Sequence, residues 1–187
     1  MTGLWIILGV LALLLIAGFV SYNRFIRQRQ LIKDAWANID TELKRRIELI
    51  PNLIETVKGY AAHEREVLER LTAARAAAIA GSGTPGGSAA AEGALAAALR
   101  SVFAVAEAYP DLKASANFIE LQHELSNTED RLQAARRFYN GNVRDYNTRV
   151  SSVPSNLVAR IAGFTPEEFF EVDDSLRDAG AARVDFG

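Results

Sequence analysis

SYNRFIRQRQLIKDAWANIDTELKRRIELIPNLIETVKGYAAHEREVLERLTAARAAAIA, residues Ser21 to Ala80, carries one apolar stripe of helical period and begins where a membrane-spanning pattern ends. Alternating steps of three and four from Trp36 give Ile39, Leu43, Arg46, Ile50, Leu53, Val57, Tyr60, Glu64, Val67, Leu71, Ala74 and Ala78, apolar except at Arg46 and Glu64. A spacing sustained over that length predicts one long amphipathic helix with a coiled-coil-like seam. Stepping backwards meets Ile32, Arg29, Phe25 and Tyr22, so the stripe fades only at the hydrophobic N-terminal segment. Pro51 removes a backbone donor and its ring clashes with the Ile47 carbonyl. The stripe resumes in register beyond it, which predicts a kink with helix on both sides. Asp40 with Lys44, Glu42 with Arg46 and Glu66 with Arg70 have the favourable acid-before-base i,i+4 order. Each pair is worth about 0.2–0.5 kcal/mol and marks a solvated face.

Towards the N-terminus, GLWIILGVLALLLIAGFV (Gly3 to Val20) contains no charged side chain. With its flanks it reaches the roughly 20 residues that cross a bilayer's hydrocarbon core. No basic n-region precedes Leu4 and no small-x-small cleavage pattern precedes Ser21, so a retained anchor is expected rather than a cleaved signal peptide. Arg24, Arg27, Arg29 and Lys33 follow the anchor closely, and the positive-inside rule then puts the remainder in the cytoplasm, at the cell (inner) membrane. The alternative is a periplasmic or extracellular domain, with these cations against anionic headgroups.

Towards the C-terminus, GSGTPGGS (Gly81 to Ser88) has the composition of a flexible turn that reverses the chain. Helix returns over Ala89 to Tyr109 with Leu95, Leu99, Val102, Ala106 and Tyr109 on one face, until Pro110 ends or bends it. A further helix is expected from Asp111 to Ser152, striped by Phe118, Leu121, Leu125, Thr128, Leu132, Ala135, Tyr139, Asn142 or Val143, Tyr146 and Val150. Pro154 stops it. Ser155 to Gly163 reads as a short amphipathic helix, Pro166 to Glu171 as a helical turn begun by Thr165, and residues 172–187 as an extended acidic tail. No segment alternates with a period of two, so the fold is all-α. The expected architecture is a single transmembrane helix (1–23) followed by an elongated antiparallel up-and-down bundle of three or four helices (24–171). Its first helix, Arg24 to Ala80, would be about 85 Å long.

The chain of 187 residues has no cysteine and a formal net charge of −2. That excludes disulfides and thiolate chemistry, and a near-neutral domain lacks the basic face that nucleic acid requires.

Three motifs downstream of an anchor ending in Tyr22-Asn23 resemble a known family: RRIELIPNLIETVKGYAAHE (Arg45 to Glu64), RRFYNGNVRDYN (Arg136 to Asn147) and VPSNLVARIAGF (Val153 to Phe164). The chain resembles a LemA family protein over essentially its whole length, including an ending in Val184-Asp185-Phe186. The resemblance implies a bacterial up-and-down helical bundle on one N-terminal membrane helix, with no established biochemical activity. The low-complexity stretch Gly81 to Ala98 departs from the family pattern.

Glu120, His123 and Glu124 form the Glu-x-x-His spacing of carboxylate-bridged di-metal bundles. A second such motif is missing from the sequence, and His123 falls opposite the stripe through Phe118, Leu121 and Leu125, facing solvent. His63-Glu64 lacks the second histidine of a zinc-protease helix, and no serine sits in a nucleophile elbow. No catalytic residue, metal or cofactor is therefore assigned. Tyr139-Asn140 and Tyr146-Asn147 recur one heptad apart beside Leu132, either as rings buried with bonded hydroxyls or as a docking surface. Arg46 and Glu64 break the seam and lie about 27 Å apart along one helix, so each needs a partner from elsewhere or must snorkel at the stripe's edge. The resulting expectation is a membrane-anchored scaffold or interaction protein without catalysis. It would contact lipid, itself and other membrane proteins, through Trp36, Leu43, Arg46, Glu64, Tyr139 and Tyr146. Self-association is expected because the seam starts beside the membrane and exceeds what later helices need cover. The alternative is a bundle metal-binder or enzyme using Glu120 and His123.

Overall fold

A computed structural model describes residues 2–61, 63–81 and 83–171. Among these residues there are six helices and no strand: α1 (Thr2–Tyr60), α2 (Arg65–Ala80), α3 (Pro85–Ala106), α4 (Pro110–Lys113), α5 (Ala116–Ser151) and α6 (Ser155–Ala162). The all-α reading holds, and α1 runs through Pro51 without reversal. The expected tail, 172–187, lies outside the described residues.

Three boundaries differ from the sequence reading. The first helix does not reach Ala80 but ends at Tyr60, and α2 starts after a break at residues 61–64. Gly59 near the helix end weakens it, and Glu64 beyond it is held by the Tyr109 hydroxyl, which donates to its Oε1 at 3.0 Å. An apolar stripe survives a hairpin as readily as a straight rod, so register alone could not reveal this reversal. GSGTPGGS is not wholly a loop, because Thr84 caps α3 by accepting from the Gly87 amide at 3.3 Å, with Pro85 in the first turn. That is the residue pair favoured at helix starts. The turn before it is tight: a Cβ on Gly81 would sit 2.9 Å from the Gly87 carbonyl oxygen. Residues 166–171 are not helical, for a reason that lies in α5 and is given below.

The chain divides into two compact units, Met1–Ala37 with Arg137–Phe169, and Asn38–Arg136 with the segment beginning at Phe170. In the second unit the C-terminal part of α1, α2, α3 and the N-terminal part of α5 form an antiparallel up-and-down four-helix bundle. Arg75 on α2 donates to the Ile47 carbonyl on α1 at 3.2 Å, placing α2 back along α1. The bundle core comprises Ile50, Leu53, Val57, Leu68, Leu71, Leu95, Leu99, Val102, Leu112, Phe118 and Leu125. Most are stripe residues of these four helices, joined by Leu68 of α2 and Leu112 of α4. Burying each from full exposure contributes about 1.5–3 kcal/mol, the same order as the chain entropy that folding must overcome.

In the first unit α1 and α5 run antiparallel, since Trp36 meets Tyr139 at 5.7 Å between ring centroids and Phe25 meets Tyr146 at 5.9 Å. The N-terminal apolar window of α1 is wholly unburied at a mean hydropathy of 2.7. Leu4, Leu11, Ile16 and Phe19 are all more than half exposed. α3 also has the length and composition to cross a membrane, but Leu95, Leu99 and Val102 spend its apolar face on the bundle core.

Candidate functional site

Both charges that interrupt the seam find partners on other elements. Arg46 is 6% exposed and is ion-paired through Nη1 to Glu92 of α3, itself 4% exposed. The same nitrogen lies 2.9 Å from Glu129 of α5. These partners stand in place of the expected i,i+4 pair with Glu42, because Arg46 points into the bundle. Burial would push the Glu129 carboxyl up, but a hydrogen bond from Gln133, the Arg46 charge and hydrogen bond, and the Arg136 charge together hold it below the usual carboxylate range. A carboxylate so held stays ionised near neutrality and neither gives nor takes a proton there. The cluster is therefore suited to fixing the register of three helices rather than to acid–base chemistry.

Beside it, a groove of about 390 Å³ runs between α3 and α5, with Arg46 and Glu92 at its base and Leu99, Phe103, Leu125 and Leu132 along its walls. It exists because Gly93 and Ala96 present almost no side chain on the facing turn of α3. Glu64 accepts from Tyr109, whose hydroxyl is thereby pushed up, first by that hydrogen bond, then by burial and the carboxylate charge.

Tyr139 and Tyr146 are 2% and 0% exposed. The Tyr139 hydroxyl donates to the Glu168 carbonyl at 2.7 Å. Burial, then the charges of Glu167 and Glu168, push it up to about 12. Tyr146 is likewise raised, by burial first, and its ring meets Phe25 edge-on. Asn147 clamps the returning chain, accepting from the Glu167 amide at 2.8 Å and donating to the Glu167 carbonyl at 2.9 Å. These bonds explain why residues 166–171 are not helical: backbone groups that a helix would pair internally are paired by side chains of α5. Leu43, Arg46, Tyr139 and Tyr146 are thus buried in the chain's own packing, and Trp36 is half-buried against Tyr139. As docking residues they are corrected to packing residues. The seam expected to be in surplus is covered as well, with Phe25, Ile32, Ala35 and Ile39 all buried.

Of the membrane-proximal cations, Arg24, Arg27 and Lys33 are exposed and Arg29 lies 3.4 Å from Glu167. Glu120, His123 and Glu124 are all exposed on α5. Among the described residues no three His, Asp or Glu side chains gather as a metal site would require. Residues that sequence reasoning missed are Glu92, Asn147, Phe25 and Phe164. Glu92 had a signal, being the one charged residue between Arg75 and Arg100. Asn147 had none beyond its tyrosine neighbour.

An exposed apolar helix continuous with a helical fold, packed without an assembled reaction centre among the described residues, defines a membrane-associated helical protein. The chain belongs to the LemA family, whose family model matches residues 35–186. It is similar to magnetosome protein MamQ 2 of Paramagnetospirillum magneticum, at 26% identity over 88% of this chain and 71% of that protein. Magnetosome protein MamQ of Magnetospirillum gryphiswaldense is 24% identical over 81% of this chain and 65% of that protein. Protein LemA of Metamycoplasma hominis is 28% identical over 81% of this chain and 72% of that protein.

Proposed function

We propose that the chain is a single-pass, membrane-anchored helical scaffold that works by binding other membrane-held proteins, including copies of itself, and carries out no catalysis. The observation that carries this reading is α1: one unbroken helix, Thr2–Tyr60, is bare apolar surface at its start and core seam further on. Anchor and scaffold therefore share one helix. The pairing of Arg46 with both Glu92 and Glu129 supports a structural use of the buried charges.

The positive-inside rule applied to Arg24, Arg27, Arg29 and Lys33 supports a cytoplasmic bundle. Protease added to inverted vesicles should digest it, and protection would put it on the other side. Self-association is assigned to the anchor and the exposed flank of Tyr22, Ile26 and Leu31. Anchored copies share a plane with parallel axes, which raises their effective concentration. The test is crosslinking in native membranes together with mass measurement in mild detergent. Captured self-pairs and a mass above the monomer support the reading, whereas a monomer at every concentration removes its self-association. Stoichiometric iron, manganese or zinc in the purified protein, lost on His123→Ala, would contradict the scaffold reading as a whole.

A further inference from the structure

The face of α6 that points away from the protein is strongly apolar. Leu157 and Ile161 recur one turn apart and are 58% and 89% exposed, and Val153, in the turn just before the helix, is 80% exposed. The opposite face is docked: Ala159 is 1% exposed, and the Ser155 hydroxyl donates to the Arg149 carbonyl at 2.7 Å. The helix is thus held in place with three large apolar side chains turned outward, which water alone does not favour.

Its position says what covers it. Because α5 runs antiparallel to α1 in this unit, travelling towards the C-terminus of α5 travels towards the membrane anchor. α6 follows the end of α5 directly. It closes at Gly163, whose φ of 72° is the left-handed cap that glycine favours. Phe164 then stacks on Phe25 at 4.8 Å and meets Tyr22 at 5.5 Å. Phe25 lies five residues beyond the last apolar residue of the anchor, Val20, a rise of about 7.5 Å. The headgroup region extends about 5–7.5 Å beyond the hydrocarbon core on each side, so Phe25 and the Phe164 ring stacked on it lie at headgroup level. Arg24, Arg27 and Arg160 are exposed at this end of the unit, where they suit lipid phosphates.

We propose that α6 is a second membrane contact, an interfacial helix whose Leu157 and Ile161 face, with Val153 of the preceding turn, lies in the headgroup–acyl boundary of the bilayer that α1 spans. The inference rests on the reading of α1 as the anchor. Its consequence is to fix the tilt and rotation of the first unit against the membrane, which one spanning helix alone leaves free.

The absence of cysteine from the chain makes single-cysteine labelling of the full-length protein direct. Leu157→Cys and Ile161→Cys would carry an NBD fluorophore, with Leu11→Cys as the anchor control and Glu66→Cys as the water control. Each is reconstituted in phosphatidylcholine–phosphatidylglycerol vesicles holding spin-labelled lipid at shallow or deep acyl positions. The expected result is blue-shifted emission at positions 157 and 161, quenched more by the shallow label than the deep one. Position 11 should be quenched by the deep label and position 66 by neither. Leu157→Asp should abolish the quenching at position 161 and leave that at position 11 unchanged. Water-like emission at 157 and 161 with position 11 quenched would overturn the α6 proposal while the anchor stands. A blue shift without lipid quenching would mean that protein covers the face, and would overturn it too. An unquenched position 11 would remove the anchor and α6 with it.

Discussion

The two units solve the same packing problem with different materials. The four-helix unit is built mainly from aliphatic residues and alanine around the ring pair Phe103 and Phe118, with a buried ionic cluster, Arg46 with Glu92 and Glu129, crossing three helices. The anchor-bearing unit has two long helices rather than four and relies on rings, Phe25, Trp36, Tyr139, Tyr146 and Phe164, with side-chain clamps on a non-helical return segment. Two helices alone enclose no core. Large flat side chains and a third strand of chain are the physical means of burying the seam there.

The comparison makes Arg46→Met the most damaging single change in the four-helix unit, because it leaves Glu92 charged and buried without a partner. A loss of about 3–5 kcal/mol is expected in chemical denaturation. Arg46→Met with Glu92→Met should recover most of it, since neither residue then carries a charge into the core. A double variant as unstable as the single would show that the cluster itself holds the bundle together.

Phe25→Ala attacks the other unit at its centre, where the ring touches both Tyr146 and Phe164. About 3–4 kcal/mol should be lost as the cavity opens. Hydrogen exchange should rise first across 139–170. Protection lost first in α2 and α3 would contradict the separation into units. Asn147→Ala is a smaller blow, about 1–3 kcal/mol, because it strips both backbone partners from Glu167. Protease cutting near residues 165–170 should accelerate while the four-helix unit is unaffected.

The pH limbs should separate the units with the smallest effects. Glu129 is held below its ordinary 4.5, so the stability it gives is complete above that value and is lost as pH falls towards and through its lowered one. Glu129→Gln should flatten this acid limb of the four-helix unit. Tyr139 behaves oppositely. Its stabilising neutral form is complete below 10 and is lost as pH rises towards about 12. Tyr139→Phe should flatten the alkaline limb at a cost of about 1 kcal/mol for the hydroxyl's hydrogen bond. An acid limb unmoved by Glu129→Gln would remove the carboxylate from the stability of the bundle.

Period-3.6 patterning made the helices and most core residues legible, and the charges at Arg46 and Glu64 were legible as positions that need partners. What escaped was direction. The seam from Val57 to Leu71 keeps register across the break at 61–64, because a hairpin and a straight helix both bury the same residues. Glu92 hid inside a run of alanine and glycine whose composition reads as turn, although Thr84-Pro85 already marks a helix start there. The non-helical 166–171 segment was illegible because its conformation is imposed by Asn147 and Tyr139, distant in sequence, rather than by its own propensities. Trp36, Leu43 and Tyr139 looked like docking residues for a related reason: a stripe tells which face is buried, and not whether the same chain covers it.

The account stands on α1 as an integral membrane anchor, and alkaline carbonate extraction of membranes tests that most directly. The full chain should remain in the pellet. The same chain carrying Leu8→Arg, Leu11→Arg and Leu14→Arg, each costing about 2.5–3.5 kcal/mol at the bilayer centre, should be released to the supernatant with its helical content intact. Release of the unaltered chain, or retention of the triple variant, would contradict it.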